Sequence, residues 1–163
     1  MDIYTIKPEY SLYFDDSEIN SISEYCINSE FQFLNEGPLK FKIQFGDDFS
    51  EADFYIINNA VPVFSIDLYN CILSAIQSNY ECYFINKKIY IEYEGRNYNY
   101  VMILPLRINC IDSEDFSIIE DKIGSMNMFK TIDTSDNSIY INEKIYKKIS
   151  EYRPYGLLID KYN

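Results

Sequence analysis

Residues 39–45, Leu-Lys-Phe-Lys-Ile-Gln-Phe, alternate without a break between apolar and polar side chains. Successive side chains of an extended strand point to opposite faces, so Leu39, Phe41, Ile43 and Phe45 form one apolar row while Lys40, Lys42 and Gln44 form a wet one. That pattern specifies a half-buried β-strand. The same bias runs along the chain: 17 Tyr and 11 Phe, with no Trp, fall mostly in alternating apolar runs, where bulky rings fit a pleated surface. Packing accounts for most of them. Tyrosine also suits protein interfaces, because it joins a rigid apolar body to one polar handle.

Further elements read off in order. Ile3–Ile6 is a short strand, and Ser17 caps a helix whose Ile19, Ile22 and Cys26 share a face. Gly46-Asp47-Asp48 ends the alternating strand, and Asp53–Ile57 forms another. Val61–Phe64 leads into a helix: Ser65 is the cap, Asp67 suits the positive end of the dipole, Leu68, Ile72 and Ile76 repeat every four residues, and Asn79 is the stop. Cys82–Ile85 and Ile89–Tyr93 read as adjoining strands, followed by a turn at Glu94-Gly95-Arg96-Asn97 and a long strand from Tyr98 to Ile111. Pro105 cannot donate to a ladder, so an edge position or a bulge is expected there.

In the polar stretch from Asp112 to Asp121, Phe116, Ile118 and Ile119 offer a strand. Met128–Ile132 and Ile139–Ile141 are strands separated by a loop at residues 133–137. Asn142 caps a second helix with Ile145, Ile149 and Tyr152 on one face, Pro154 ends it, and Gly156-Leu157-Leu158-Ile159 opens a last strand. The strand-then-helix pattern thus occurs twice, at residues 63–76 and 139–152, which by itself does not establish a duplication. At 163 residues one domain is expected, burying roughly 70% of the surface its unfolded chain exposes. The fold expected is α+β, a mainly antiparallel, twisted sheet with two or three covering helices.

Charge bears on partners. With 26 acidic against 14 basic side chains the formal charge is -12, which disfavours nucleic acid and anionic membranes as partners. Residues 1–60 hold 12 acids and 3 bases, so nine of the twelve net charges sit there. No apolar run approaches the roughly 20 residues that cross a bilayer, and Met1-Asp2-Ile3-Tyr4 lacks the basic start of a secretory signal. The expectation is a cytoplasmic protein. Cys26, Cys71, Cys82 and Cys110 are widely spaced, the pattern of reduced, buried thiols.

The chain has no histidine, which removes the commonest general base and most zinc ligand sets. Its five glycines are isolated, so no phosphate-cradling loop can be built. Asp15-Asp16, Asp47-Asp48 and Asp112-Ser113-Glu114-Asp115 lack the spacing of a calcium loop and read as solvated loop acids. Lys87-Lys88 is a single basic pair in an acidic chain. The expectation is a protein without catalytic residues, cofactor or metal. An acidic surface interleaved with rings suits a basic protein partner, because complementary charge speeds encounter and buried rings slow release. The alternative is that the charge serves solubility alone.

A family resemblance starts at Val61. It is carried by Val63-Phe64-Ser65, by Arg107-Ile108-Asn109-Cys110-Ile111-Asp112-Ser113, by Met128-Phe129-Lys130, by Ile139-Tyr140-Ile141-Asn142-Glu143-Lys144-Ile145, and by Gly156 before the last strand. In order and spacing over about 100 residues, these resemble a bacterial immunity-protein family of polymorphic toxin systems, the eleventh in that series and formerly a domain of unknown function. Arg153-Pro154-Tyr155-Gly156 departs from the family's Leu-Thr-Gly-like approach to that strand, and residues before Val61 show no match. The resemblance implies a cytosolic inhibitor that binds a toxin encoded beside it, and it brings no catalytic residues.

On that basis residues 61–163 are the expected scaffold, while the acidic residues 1–60 select the partner. The residues expected to contact it are Asp15, Asp16, Glu18, Asp47, Asp48, Glu51 and Asp53, with Tyr13, Phe14 and Phe49 as anchors. The partner is a basic toxin domain; the sequence sets no oligomeric state. One rival is a phage-encoded acidic inhibitor of a bacterial nuclease or defence complex, imitating nucleic acid. Another is a histidine-free enzyme working through buried carboxylates.

Overall fold

In the computed structural model, which describes residues 1–14, 38–43, 47–76, 84–132 and 138–162, the alternating segments pair into two five-stranded sheets. Along the chain these elements are β1 (Ile3–Pro8), β2 (Leu39–Lys42), β3 (Phe54–Ile57), β4 (Val61–Ser65), α1 (Ile66–Ala75), β5 (Phe84–Tyr93), β6 (Arg96–Pro105), β7 (Arg107–Ile108), α2 (Glu120–Ile123), β8 (Met128–Thr131), β9 (Ile139–Asn142), α3 (Glu143–Tyr152) and β10 (Leu157–Tyr162). The first sheet has the order β10-β1-β9-β8-β7, the second β2-β5-β6-β4-β3. Pairing is antiparallel except for β2 with β5 and β7 with β8. The class is α+β as expected, with the strands divided between two sheets.

The division occurs at Pro105. The strand expected from Tyr98 to Ile111 is cut there, because β6 ends on the residue that has no N–H to extend the ladder. The chain then crosses to the other sheet, where Lys130 N–H donates to Leu106 O at 2.9 Å and β7 lies along β8. Upstream, the two short strands expected around residues 82–93 are one continuous β5 over its described length. Its turn into β6 needs only Glu94 and Gly95, both at positive φ (48° and 76°), the geometry that matches strand twist. Between Asp112 and Asp121 the chain forms a single bridge, Ile111 with Ile118, and then the short α2.

The two sheets repeat one plan. In the second, the hairpin β3–β4 leads through α1 to β5 and β6. In the first, the hairpin β8–β9 leads through α3 to β10, and β1, from the opposite end of the sequence, occupies the place of β6. The registers match as well. Ser65 and Asn142 end β4 and β9 and cap the two helices, accepting from Leu68 N–H and Ile145 N–H at 3.2 Å each. Their own N–H groups donate to Asp53 O at 2.7 Å and Asn127 O at 3.1 Å. Their side chains also bond to those same residues, Ser65 Oγ to Asp53 Oδ1 at 2.5 Å and Asn142 Nδ2 to Asn127 Oδ1.

Each unit also lends a segment to the other. After β6, Ile108 pairs in parallel with Thr131 at the end of β8, and Ile132 N–H donates to Ile108 O at 3.2 Å. After β1, Leu12 bridges in parallel to Ile57 at the end of β3, and Asn58 N–H donates to Leu12 O at 3.0 Å. The strand-then-helix recurrence seen in the sequence is therefore one part of a larger structural repeat.

A shared core lies where α1 and α3 meet both sheets: Ile6, Phe54, Phe64, Leu68, Ile72, Val101, Ile103, Met128, Ile141, Ile145 and Ile149 pack together there. The other face of the second sheet carries Leu12, Phe14, Phe41, Tyr55, Ile57, Tyr100 and Met102, and the other face of the first carries Ile3, Cys110, Phe129 and Tyr140. Residues 101–105 are buried throughout because both faces of β6 are covered, which gives the unbroken apolar run of a central strand. α1 stops at Ala75, and Ile76 is already extended, so the expected stripe ends at Ile72. α3 stops as its sequence indicates, with Arg153 left-handed before Pro154.

Residues 1–60 supply strands to both sheets, since β1 lies between β10 and β9 and β3 pairs with β4. Ser17, Cys26, Asn79 and Cys82 lie outside the described residues.

Candidate functional site

The segment from Ser11 to Phe14 is laid against the end of β3 by Asn58. Phe14 N–H donates to Asn58 Oδ1 and Asn58 Nδ2 donates to Phe14 O, both at 2.8 Å. A side-chain amide offering donor and acceptor together fixes the extended backbone as a paired strand would. Alternation then directs Leu12 and Phe14 inward and Tyr13 outward, and Tyr13 is 69% exposed. Phe14, at 8%, packs its ring on Phe41 with centroids 5.4 Å apart.

Residues 47–52 are held across the same face by rings. Phe49 sits among Tyr98, Tyr93 and Tyr55, with centroids 5.0, 5.5 and 5.9 Å away. Below it Tyr55 O–H donates to Ser50 O, and Tyr100 O–H donates to Ala52 O at 2.8 Å. Burial pushes the Tyr55 hydroxyl up to about 12 and raises that of Tyr100 further, so both remain donors at neutral pH. Phe49 is thus tethered from beneath while Asp47, Asp48 and Glu51 face solvent.

Together these segments and β2 enclose a cavity of about 690 Å³, lined by Ser11, Leu12, Tyr13, Phe14, Lys40, Phe41, Lys42, Ile43, Asp47 and Asp48. Lys40 reaches Glu92 at 3.6 Å, an exposed pair that contributes only about 0–1 kcal/mol. The rim therefore presents both signs of charge over a floor of Leu12, Phe14, Phe41 and Ile43.

Of the residues expected to contact a partner, Tyr13, Phe14, Asp47 and Asp48 converge on this cavity, and Glu51 is exposed on the segment carrying the two acids. Phe14 packs on the ring of Phe41 and forms part of the floor, and Phe49 lies among three tyrosines beneath the segment that carries the acids. Asp53 lies at the junction of the two units, where its carboxylate accepts from Ser65 Oγ at 2.5 Å, Tyr155 N–H at 2.7 Å and Tyr152 O–H at 3.0 Å. Three donors thus already occupy that carboxylate. Asp15, Asp16 and Glu18 lie outside the described residues. Lys40 and Lys42 were missed as site residues; the signal for them was the wet face of the alternating strand.

Among the described residues, no group of three or more Cys, Asp or Glu is placed to hold a metal ion, and no helix is long and apolar enough to cross a membrane. No family model matches the chain, and no curated protein matches it either.

Proposed function

We propose that this chain is an immunity protein that binds and neutralises a basic toxin domain, using the acidic and aromatic surface around the cavity of Tyr13, Asp47 and Asp48. The observation that carries the reading is the convergence of those three exposed groups, 34 residues apart in sequence, on one preorganised concavity. Asp47 and Asp48 attract a cationic partner, and with a net charge of -12 behind them association can approach about 10⁸ M⁻¹s⁻¹ at low salt. Tyr13 supplies the anchor, since a ring that leaves water on contact slows release. The clamp at Asn58 and the rings around Phe49 keep this surface shaped before the partner arrives, which lowers the ordering cost of binding.

Lys40 and Lys42 at the rim favour this reading over imitation of nucleic acid, for which a row of uniform negative charge is needed. An immunity protein of this kind meets its toxin in the cytoplasm. Co-expression with the toxin gene beside it tests the proposal: rescue of growth and a co-purifying complex are expected. Asp47→Lys with Asp48→Lys should slow association and flatten its salt dependence, and Tyr13→Ala should speed dissociation. Growth arrest in the presence of the folded chain sinks the proposal.

A further inference from the structure

The repeat places a second concavity at the equivalent position of the other unit. Ile108 corresponds to Leu12, since each pairs in parallel with the last residue of the neighbouring strand and accepts from the residue after it. Two positions on, Cys110 therefore stands where the other unit has Phe14. A thiol occupies much less space than a phenyl ring, and a cleft of about 250 Å³ opens there between Ile108, Cys110, Ile132, Tyr140 and Tyr162. Phe116 lies at its edge and does not fill it. The Phe116 backbone is left-handed (φ 60°) and pinned, its N–H donating to Asp112 O at 3.1 Å and its carbonyl accepting from Tyr162 O–H at 2.8 Å. Phe116 is 70% exposed and Ile132 54%.

Phe116 and Ile132 are large apolar groups at the mouth of an apolar cleft, and together they form an anchor pocket bordered by the turn that carries Asp112, Glu114 and Asp115 between Ile111 and Phe116. Hydrogen bonds from Ser117 hold the Asp115 carboxyl below its usual range, so that turn is charged at neutral pH. We infer that this cleft is a second docking site, which receives an apolar side chain projecting from a basic protein surface and covers it with Phe116. The inference rests on the reading of the chain as a toxin-binding protein and assigns the occupant to that toxin domain. Charge complementarity selects it: the three acids on the turn between Ile111 and Phe116 favour a basic surface, and a second copy of this chain, with its net charge of -12, is disfavoured.

The toxin domain encoded beside this chain is the probe. Phe116→Asn removes the ring while keeping a residue that tolerates left-handed backbone, and Ile132→Ser removes the second apolar group. Each should raise the dissociation rate about 10- to 30-fold with little change in association rate, the behaviour of a buried anchor. Unchanged dissociation in both variants, alongside slowed association for Asp47→Lys with Asp48→Lys, overturns this inference and leaves the proposed function standing. No complex with the wild-type chain overturns both. A dimer of the chain alone that Phe116→Asn dissociates gives the cleft to a second copy and also overturns it.

Discussion

Replacing Asp53 by alanine separates the scaffold from the binding surface. The carboxylate accepts three hydrogen bonds, from Ser65 Oγ, Tyr155 N–H and Tyr152 O–H, and hydrogen bonds to a charged group contribute about 1.5–3 kcal/mol each when sheltered. Asp53 is half-buried, and Tyr152 and Tyr155 are 37% and 52% exposed, so water recovers part of two of the three bonds. The Ser65 bond, at the half-buried junction of β4 and α1, keeps more of its worth. A loss of about 2–4 kcal/mol is expected, equal to a drop in Tm of roughly 4–16 °C for a chain of this size. Asp53→Asn, which retains one acceptor oxygen, should lose less. Urea unfolding followed by far-ultraviolet circular dichroism measures it, with Asp47→Lys and Asp48→Lys as controls that stay within about 0.5 kcal/mol of wild type. If Asp53→Ala is as stable as those controls, the carboxylate is no structural junction. If it is stable and fails to bind toxin, Asp53 is a contact residue after all.

Other outcomes follow from the same structure. Gly156 has φ 77°, and a Cβ there would stand 2.6 Å from Ala52 Cβ, so Gly156→Ala should cost about 2–4 kcal/mol from left-handed strain and overpacking together, read as a shift in the urea midpoint; a shift under a quarter of that refutes the close approach. Because β10 pairs with β1 as far as Tyr162 and Ile3, a circular permutant joining Asn163 to Met1 through one glycine and opening between Glu94 and Gly95 should keep the native circular dichroism and cooperative unfolding. An unfolded permutant would contradict the equivalence of the two units. Tyr55 and Tyr152, by burial, and Tyr10, by its hydrogen bond with Tyr155, are each pushed up to about 12. The unfolded chain releases those protons near pH 10, so it binds fewer protons than the folded chain above that pH and stability must fall between about pH 10 and 12. Urea midpoints across that range, with absorbance at 295 nm, check it; constant stability to pH 12 refutes the assignment.

Local pattern carried much of the fold. The period-two run at Leu39–Phe45 marks β2, and the spacing of Ile145 and Ile149 marks α3. Ser65 and Asn142 announce the helix starts, because a cap needs only an oxygen and the amide three residues on. The candidate site was legible in its charged part, since adjacent acids after an apolar strand stay in water, as Asp47 and Asp48 do. Its rings were not. Phe14 and Tyr13 are neighbours of similar character, and which of them is covered depends on the arrival of Phe41 from another strand.

Residue order alone thus specified most strand and helix positions and the caps of the two longer helices, all properties of residues within a turn or two of each other. Long-range pairing settled that β1 completes the unit begun by β8, that Pro105 sends the chain to a second sheet, that Asp53 becomes a junction, and that Cys110 stands where the other unit has Phe14. Those outcomes depend on which distant segments pair. A strand's periodicity states that one face is to be buried and says nothing of what will cover it.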